Sequence, residues 1–462
     1  MKLRQWQKEC ISQAYHQFSN KEEHFLCLAT PGAGKTFMAS QLAKKLFETD
    51  FIDLVICFSP SLVVSRDFKK ELENQTGKRF DARLGAAGCS ITYQSMLNLS
   101  DDFWQLFIDQ RVFVIFDEIH HCSGNDINNA NAWGERIISQ IQGKALFSLA
   151  LSGTPWRSDN IPITLSRYTD HGTIHCDYRY GIAQAINDGV CRTPSITLVD
   201  NDKIRVSQDG GTQKYKSFDE FLKNSDHTYQ SLIENEDLML HIIRKANSRL
   251  EHLRNTSPDA GGLIVASSVS HARRIHKSLQ DHLKEQADIV TYLEKDPLRH
   301  IHDFKQSSRK WIISVGMISE GTNLPRLQVC CHLTRIKTEL HFRQVLGRIL
   351  RSGEIMDEKG FLYMPAEPTL TEYAHRLNED IPGDNVVNLE MLSNKDFELS
   401  IQRDNLPNSH DLPMTLSLGG DCKDSASILE STDSTLLKSY EEALDIFGRF
   451  KHTVLKFNES HI

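Results

Sequence analysis

Residues 29–36, with the sequence ATPGAGKT, have the residue types and spacing of a loop that binds phosphate groups. They follow a short apolar run and precede a helical stretch, which predicts the order strand, loop, helix. Gly32 and Gly34 let the backbone turn until its N–H groups face phosphate oxygens, and the helix N-terminus adds positive potential. Lys35 supplies a cation for the β- and γ-phosphates of a nucleotide, and Thr36 supplies a hydroxyl ligand for Mg²⁺.

A second feature with nucleotide chemistry is the pair Asp117 and Glu118, which directly follows the apolar run 112–116. Five consecutive apolar residues predict a buried strand of a parallel sheet. Burying two carboxylates at the carboxyl end of such a strand costs free energy unless a cation neutralises them. Ligands of α/β sheets bind at this carboxyl end. Asp117 is therefore a candidate Mg²⁺ partner, and Glu118 a candidate base for the attacking water. The alternative, two solvated loop carboxylates, is disfavoured beside a phosphate loop.

Several segments resemble, in order, the motifs of the superfamily-2 helicases and translocases, in the branch similar to type I and type III restriction enzymes and repair helicases. The resemblance runs through most of residues 1–366, although Ala29 stands where the family usually has the first glycine of its phosphate loop. Short matches in the right order are more specific than any one alone. Besides the phosphate loop, the matching segments are 3–7 (LRQWQ), 59–62 (SPSL), 92–95 (TYQS), 117–120 (DEIH), 152–155 (SGTP), 314–323 (SVGMISEGTN) and 344–351 (QVLGRILR).

The resemblance implies ATP and Mg²⁺ as cofactors and assigns roles to individual residues. The residues implied to bind ATP are Gln7 (on the base edge), Thr30, Pro31, Gly32, Ala33, Gly34, Lys35, Thr36, Gly321 and Asn323, with Thr36 and Asp117 on the metal. Those implied to carry hydrolysis are Lys35, Asp117, Glu118, Gln344, Arg348 and Arg351. Coupling is implied for His120, Ser152 and Thr154, and nucleic-acid contact for Ser61, Thr92, Gln94, Arg157, Ser268 and Thr334.

The arginines of segment 344–351 suit this role on physical grounds as well. Arg348 and Arg351 are three residues apart, so on a helix they share a face with Gln344. A guanidinium group donates in a fixed fork that matches phosphate oxygens. Such arginines are often only solvated, but the preceding turn 320–323 favours the functional interpretation.

The consecutive residues His120, His121 and Cys122 suggest a metal site at first sight. Three neighbours in sequence cannot all face one tetrahedral ion, and no second ligand cluster is evident. We therefore predict that His120 hydrogen-bonds Ser152 or its neighbours.

Composition limits the class of protein. A chain of 462 residues exceeds what one hydrophobic core usually supports, which predicts two or three domains. Hydrophobic residues at 39% and charged residues at 25% are typical of a soluble protein. The sequence has neither a signal-peptide pattern nor an apolar run long enough to span a bilayer, so no membrane partner is expected. The ten cysteines form no C-x-x-C pair, which indicates reduced thiols and a cytoplasmic location.

Charge is unevenly distributed along the chain. Residues 381–462 contain 7 Lys and Arg against 14 Asp and Glu, which leaves 46 and 47 of the chain totals, 53 and 61, for residues 1–380. The acidic end is a poor nucleic-acid binder by itself, whereas a neutral remainder can still carry a basic groove. Candidates for that groove are Arg66, Lys69, Lys70, Arg157, Arg273, Arg274, Lys277, Arg335 and Lys337.

The alternation of apolar runs and amphipathic stretches predicts an α/β fold: two tandem RecA-like domains, with parallel sheets flanked by helices, plus a mainly helical C-terminal extension. The expected bounds are 1–185 for RecA-like domain 1 (ATP-binding), 186–250 for a connector, 251–370 for RecA-like domain 2 (arginine fingers) and 371–462 for the acidic extension.

Several local elements are predicted within these bounds. They are strands near 54–58, 112–116, 145–151 and 261–266, a helix in 180–189 that closes on Gly189, a polar loop at 207–216, a helix that ends near Arg249, and helical pieces at 370–376 and 436–450.

The predicted function is that of an ATP-dependent DNA helicase or translocase, with DNA favoured over RNA by the resemblance. Two alternatives stay open: a nucleic-acid-sensing ATPase switch in a larger defence or mobile-element complex, with a protein partner on the acidic extension, and an RNA-directed helicase. A binding module that does not hydrolyse ATP is disfavoured by four intact residues, namely Lys35, Glu118, Arg348 and Arg351.

Overall fold

The computed structural model describes residues 2–208, 211–294, 296–317, 324–351, 358–377, 443–446 and 449–456. These residues divide into two units. The first is built mainly from residues 1–191, and the second from residues 192–376 together with the described residues after 442.

The first unit is a parallel sheet covered by helices. Its strands are β1 (His24–Ala29), β2 (Leu54–Ser59), β3 (Gly88–Thr92), β4 (Val112–Asp117), β5 (Phe147–Ser152), β6 (Arg167–Tyr168), β7 (Ile174–His175) and β8 (Tyr178–Tyr180). Its helices are α1 (Gln5–Ser19), α2 (Lys35–Glu48), α3 (Leu62–Thr76), α4 (Tyr93–Met96), α5 (Asp101–Asp109), α6 (Ala132–Gln140) and α7 (Ile182–Asn187), with a 3-10 turn at Ile119–His121.

Six of these strands form one sheet in the order β3-β2-β4-β5-β1-β8, and every pair in it is parallel. All residues of β4 and β5 are buried, as expected for central strands with helices on both faces. Below them, Phe58 stacks on Phe116 and on Tyr93 in the hydrophobic core. Because the strands are parallel, the phosphate loop after β1, the carboxylates after β4 and segment 152–155 after β5 all lie at one edge.

The second unit contains a larger sheet and a small accessory sheet. Its strands are β9 (Thr193–Asn201), β10 (Ile204–Gln208), β11 (Gly211–Tyr215), β12 (Gly261–Ala266), β13 (Ala287–Val290), β14 (Trp311–Ser314), β15 (Leu327–Leu333), β16 (Lys359–Pro365), β17 (Ala443–Ile446) and β18 (Phe450–Lys456). Its helices are α8 (Phe218–Asn224), α9 (Tyr229–Ile233), α10 (Glu236–Arg254), α11 (Val269–Ser278), α12 (Pro297–Gln306), α13 (Glu339–Ile349) and α14 (Pro368–His375), with a π-helical turn at Leu279–Leu283.

The larger sheet has the order β13-β14-β12-β15-β16-β9-β18 and is parallel except for β18, which runs antiparallel to β9. The accessory sheet is antiparallel, with the order β11-β10-β17. A buried hydrogen bond from Trp311 Nε1 to Asn247 Oδ1 (2.9 Å) ties α10 to the larger sheet. No described helix is long and apolar enough to cross a bilayer.

Most predicted elements are present, and the α/β class is confirmed. The four predicted strands correspond to β2, β4, β5 and β12, and α7 is followed by Gly189 with φ 66°. Helix α10 extends about one turn beyond Arg249, to Arg254, whose Nη1 donates to the carbonyl oxygen of Ala260 at 2.6 Å.

Three expectations differ from the structure, all in segments that depend on distant partners. Residues 207–216 include the paired strands β10 and β11 where a loop was expected. The described part of 436–450 forms β17 and the start of β18, not a helix, because those residues pair with β10 and β9. Strand β9, inside the expected connector 186–250, is part of the larger sheet.

Candidate nucleotide-binding and hydrolysis site

The phosphate loop joins β1 to α2 and has the backbone geometry that the sequence predicted. Gly32 and Gly34 have φ of 87° and 95°, a region that side chains other than glycine rarely adopt. Lys35 is the first residue of α2 and Gly34 is its N-cap, so the unpaired N–H groups of the first helical turn lie at this loop. The loop can therefore present several backbone donors and a helix N-terminus to phosphate oxygens.

The side chain of Lys35 joins the phosphate loop to Glu118, the residue that follows β4. Its Nζ lies 3.3 Å from Glu118 Oε1 and donates to the carbonyl oxygen of Ala29 at 3.0 Å. Strands β1 and β4 are separated by β5, a distance of about 10 Å, so the contact requires both long side chains to reach across the end of β5. Both are mostly buried, with exposed fractions of 10% and 24%.

Glu118 has a strained backbone, with φ 49° and ψ 54°. For a residue with a Cβ atom this left-handed conformation costs roughly 1–2 kcal/mol. The carboxylate is held on its other side, where Oε2 accepts from Gly153 N at 3.3 Å and lies 3.5 Å from His120 Nδ1. This backbone conformation turns the Glu118 side chain toward Lys35.

Asp117 is the last residue of β4 and is buried. The hydroxyl of Tyr93 donates to its backbone carbonyl at 2.9 Å. Burial raises the pKa of Tyr93 well above its usual value, so the hydroxyl keeps its proton and remains a donor. Tyr93 lies in segment 92–95, but sequence reasoning gave it no role.

The predicted hydrogen bond between His120 and Ser152 is present. His120 Nδ1 lies 2.9 Å from Ser152 Oγ, and that hydroxyl oxygen accepts from Thr154 N at 3.0 Å. Arg157 Nη1 in turn donates to the carbonyl oxygen of His120 at 2.6 Å. A continuous set of contacts therefore runs from Glu118 to segment 152–157 through His120 and Gly153.

The N-terminal segment supports the phosphate loop from its other side. Arg4 Nη1 donates to the carbonyl of Ala33 (2.8 Å), and Gln7 Nε2 donates to the carbonyl of Gly34 (3.0 Å). Gln7 Oε1 accepts from Arg4 N at 2.9 Å. The contribution of Arg4 was missed, although it lies within the quoted segment 3–7. The reading of a base edge by Gln7 stays a prediction, because both of its amide atoms are engaged by the protein here.

The residues present fit a nucleoside triphosphate with Mg²⁺. A Cβ atom at Gly153 would lie 3.0 Å from Pro31 and 3.3 Å from Lys35 Nζ, so this glycine leaves room close to the lysine cation. Thr36 and Asp117 would hold Mg²⁺, with phosphate and water oxygens as its further ligands. Among the described residues no group of three or more His, Cys, Asp or Glu side chains is arranged to hold a metal.

The nucleic-acid candidates of the first unit lie near the same edge of the sheet. Ser61 and Thr92 cap α3 and α4, accepting from the backbone N–H of Val64 (3.4 Å) and Ser95 (3.1 Å). Gln94 is exposed. Arg157 is partly occupied, since its Nε donates to Asp159 at 2.9 Å besides the contact to His120.

In the second unit, Ser268 caps α11 by accepting from His271 N (3.1 Å), and the buried Thr334 Oγ1 accepts from Ile336 N at 3.3 Å. Helix α13 contains Gln344 and Arg348, and Arg351 follows it. Gly321 and Asn323 lie outside the described residues.

Besides Arg157, which pairs with Asp159, three more of the cations suggested for a basic groove pair with carboxylates. Arg274 lies 2.6 Å from Glu234, and Lys337 lies 3.1 Å from Glu367. Lys69 lies 4.0 Å from Glu73. These pairs reduce the positive charge that each of the three presents to a phosphate.

Comparison with known proteins agrees with this geometry. Residues 1–157 match the family model described as type III restriction enzyme, res subunit. Uncharacterized proteins of Mycobacterium tuberculosis (strain H37Rv) and Mycobacterium leprae are 30% and 29% identical over 391 residues, or 81% of this chain. The chain spans only 63% and 64% of the length of these relatives.

Two solved structures share the fold. A fragment of a putative HsdR subunit of a type I restriction enzyme from Vibrio vulnificus YJ016 has a TM-score of 0.58 at 16% identity, over 82% of this chain and 67% of that one. The ATP-dependent Type ISP restriction-modification enzyme LlaBIII, bound to DNA, has a TM-score of 0.55 at 13% identity, over 82% of this chain and 30% of that one.

Fold and site together define an α/β protein of two RecA-like domains with a phosphate loop and an acidic strand end. Residues 1–157 are similar to the type III restriction enzyme res subunit family, and the solved structures named above share the two-domain fold.

Proposed function

We propose that this chain is an ATP-dependent DNA helicase or translocase, which hydrolyses ATP to move along or remodel nucleic acid. The contact between Lys35 and Glu118 carries the proposal, because it brings a phosphate-binding lysine and a candidate base together beside the buried Asp117. Such an arrangement suits phosphoryl transfer to water, which requires positioning and charge neutralisation.

Each residue of the site has a defined task in this proposal. When ATP binds, its β- and γ-phosphates replace Glu118 as the anionic partner of Lys35. Glu118 is then free to orient a water molecule and accept its proton. Thr36 and Asp117 would hold Mg²⁺, which would neutralise developing charge on the phosphates. The strained backbone of Glu118 keeps the carboxylate aimed at this point.

The contacts of Glu118 also provide a route to nucleic acid. Its carboxylate accepts a hydrogen bond from Gly153 N and lies near His120. A change in the position of this carboxylate therefore alters the contacts of segment 152–157. In this proposal Ser61, Thr92, Gln94 and Arg157 contact the strand. Ser268 and Thr334 have the same role in the second unit, and Gln344, Arg348 and Arg351 supply charge to the phosphates; all of these roles rest on the family resemblance.

DNA is favoured over RNA because the matched family model and both fold relatives named above are of restriction enzymes, one of them bound to DNA.

The described cysteines are buried free thiols, which supports a reducing, cytoplasmic compartment.

The experiment that tests the proposal is ATP turnover alone and with single-stranded DNA, duplex DNA and RNA. Lys35→Ala serves as the blank, and Lys44→Ala, which alters a partly exposed lysine of the same helix, serves as the matched control. Stimulation by DNA supports the proposal, whereas stimulation by RNA alone selects the RNA-directed alternative. ATP turnover that none of the three polymers stimulates selects the switch alternative.

The switch alternative is favoured by one observation, the concentration of acidic residues after residue 380. In that case the acidic extension docks a basic protein partner. Replacement of residues 381–442 by a flexible linker tests it while keeping β17 and β18. Loss of partner retention or altered ATP turnover supports a regulatory extension, and no change in either opposes it.

A further inference from the structure

His332 is the one polar residue of strand β15 whose side chain lacks a hydrogen bond among the described residues. The strand is buried along its whole length. Its other polar side chain, Gln328, donates to Glu358 at 3.3 Å. The His332 side chain is fully buried, and neither ring nitrogen has a hydrogen-bond partner in another described residue.

This arrangement is costly for the fold. Burial, reinforced by the nearby His341, lowers the pKa of His332 to about 3, so the ring is neutral at physiological pH. A neutral imidazole still has one N–H donor and one lone-pair acceptor, and both have been removed from water without replacement. An apolar residue of similar size would suit this position better.

The rings that face His332 belong to helix α13. Its ring centroid lies 5.8 Å from that of His341 and 6.4 Å from that of Phe342, both in edge-to-face geometry. His341, Gln344 and Arg348 recur at spacings of three and four residues, so they lie along one stripe of the helix. His332 thus contacts the start of the stripe that contains the proposed catalytic arginine Arg348.

Another histidine pair in this protein shows how small a movement would allow His332 and His341 to form a hydrogen bond. His241 and His452 have ring centroids 5.1 Å apart, and their Nε2 atoms lie 2.8 Å from each other in a hydrogen bond. The rings of His332 and His341 are only 0.7 Å further apart. A sub-ångström shift of α13 with a ring rotation would bring them into hydrogen-bonding range.

We propose that His332 is a positioning residue for helix α13: it hydrogen-bonds His341 in a position of the helix that is populated during the ATPase cycle and that places Arg348. The inference rests on the proposed function. It explains why a polar group is kept in an apolar strand at a cost to stability.

The test compares His332→Leu and His332→Gln with the wild type in steady-state ATP turnover and thermal melting. We expect His332→Leu to lower kcat roughly tenfold, the loss that corresponds to one hydrogen bond, with KM for ATP nearly unchanged and a melting temperature that is not lowered. His332→Gln, which can donate and accept, should restore most of kcat. Cys330→Ala, a buried residue two positions earlier on the same strand, should melt lower but keep kcat.

The combination with His341→Leu identifies the partner. If the two histidines act as a pair, the double variant His332→Leu/His341→Leu should lose no more kcat than either single variant. Additive losses would overturn the pairing, and wild-type kcat in His332→Leu would overturn the inference. Should His332→Leu not fold, His341→Leu with unchanged kcat would overturn it instead. Absence of turnover in the wild type above the Lys35→Ala blank would refute the proposed function itself and this inference with it.

Discussion

Glu118 Oε2 accepts a hydrogen bond from the backbone N–H of Gly153 at 3.3 Å, while Glu118 Oε1 lies 3.3 Å from Lys35 Nζ. One carboxylate therefore contacts both the phosphate loop and the segment that follows β5. A substitution of Glu118 alters both contacts at once, which makes it the most informative residue to change.

Glu118→Gln should retain ATP binding and lose most turnover. The amide keeps the size of the side chain but cannot accept a proton from water, so we expect kcat to fall by roughly 100-fold or more. The measurements are single-turnover hydrolysis and binding of a fluorescent ATP analogue. Glu135→Gln, an exposed glutamate on α6, is the control, and normal turnover in Glu118→Gln would remove the residue from the mechanism.

Gln7→Ala should weaken nucleotide binding even without any contact to the base. The substitution removes the donor to the Gly34 carbonyl and the acceptor of the Arg4 N–H, so the loop loses a support at its tightest turn. A loss of about 1 kcal/mol corresponds to a Kd roughly fivefold higher. Comparison of ATP with a triphosphate of another base separates the two roles: equal weakening indicates loop support alone, and a loss confined to ATP indicates reading of the base.

The stability of the second unit should fall in mild acid, partly through His332. Its pKa is about 3 when folded and about 6.5 when unfolded. The unfolded chain therefore binds more protons between these values, and the free energy of unfolding falls as pH drops from 6.5 toward 3, with no contribution above pH 7. Between pH 7 and 5 this contribution amounts to about 2 kcal/mol, which His332→Phe should remove. Urea unfolding at pH 7 and 5 measures it, and an identical pH dependence in the variant would contradict the assignment.

Truncation after residue 442 should destabilise the second unit, whereas replacement of 381–442 should not. Strand β18 pairs with β9 over seven residues and covers its edge, and Asn235 Nδ2 donates to the carbonyl of Leu444 at 3.1 Å. Loss of these contacts exposes an apolar strand edge, which promotes aggregation. Thermal melting and size-exclusion chromatography compare the two deletions, and equal stability would show that β17 and β18 are dispensable.

Much of the candidate site could be predicted from the sequence, because it depends on residues that are close together along the chain. The phosphate loop, its flanking strand and helix, and the carboxylates after β4 follow from glycine placement and apolar runs, which act over a few neighbouring residues. The hydrogen bond between His120 and Ser152 was also predicted, as the alternative to a metal site at residues 120–122.

Interactions between distant residues were decided by the tertiary structure. The pairing of β18 with β9 joins residues about 250 positions apart, and the pairing of β17 with β10 makes the described residues 443–446 of the predicted helix 436–450 a strand. The supports from Arg4 and Tyr93, and the burial of His332 without a hydrogen-bond partner, depend on which elements pack together. The sequence by itself determined the class of chemistry and the residues beside the phosphates, because these need particular side chains at fixed local spacing. Sheet partners, strand edges and the surroundings of buried polar groups were settled only by the fold, because long-range packing overrides local preference.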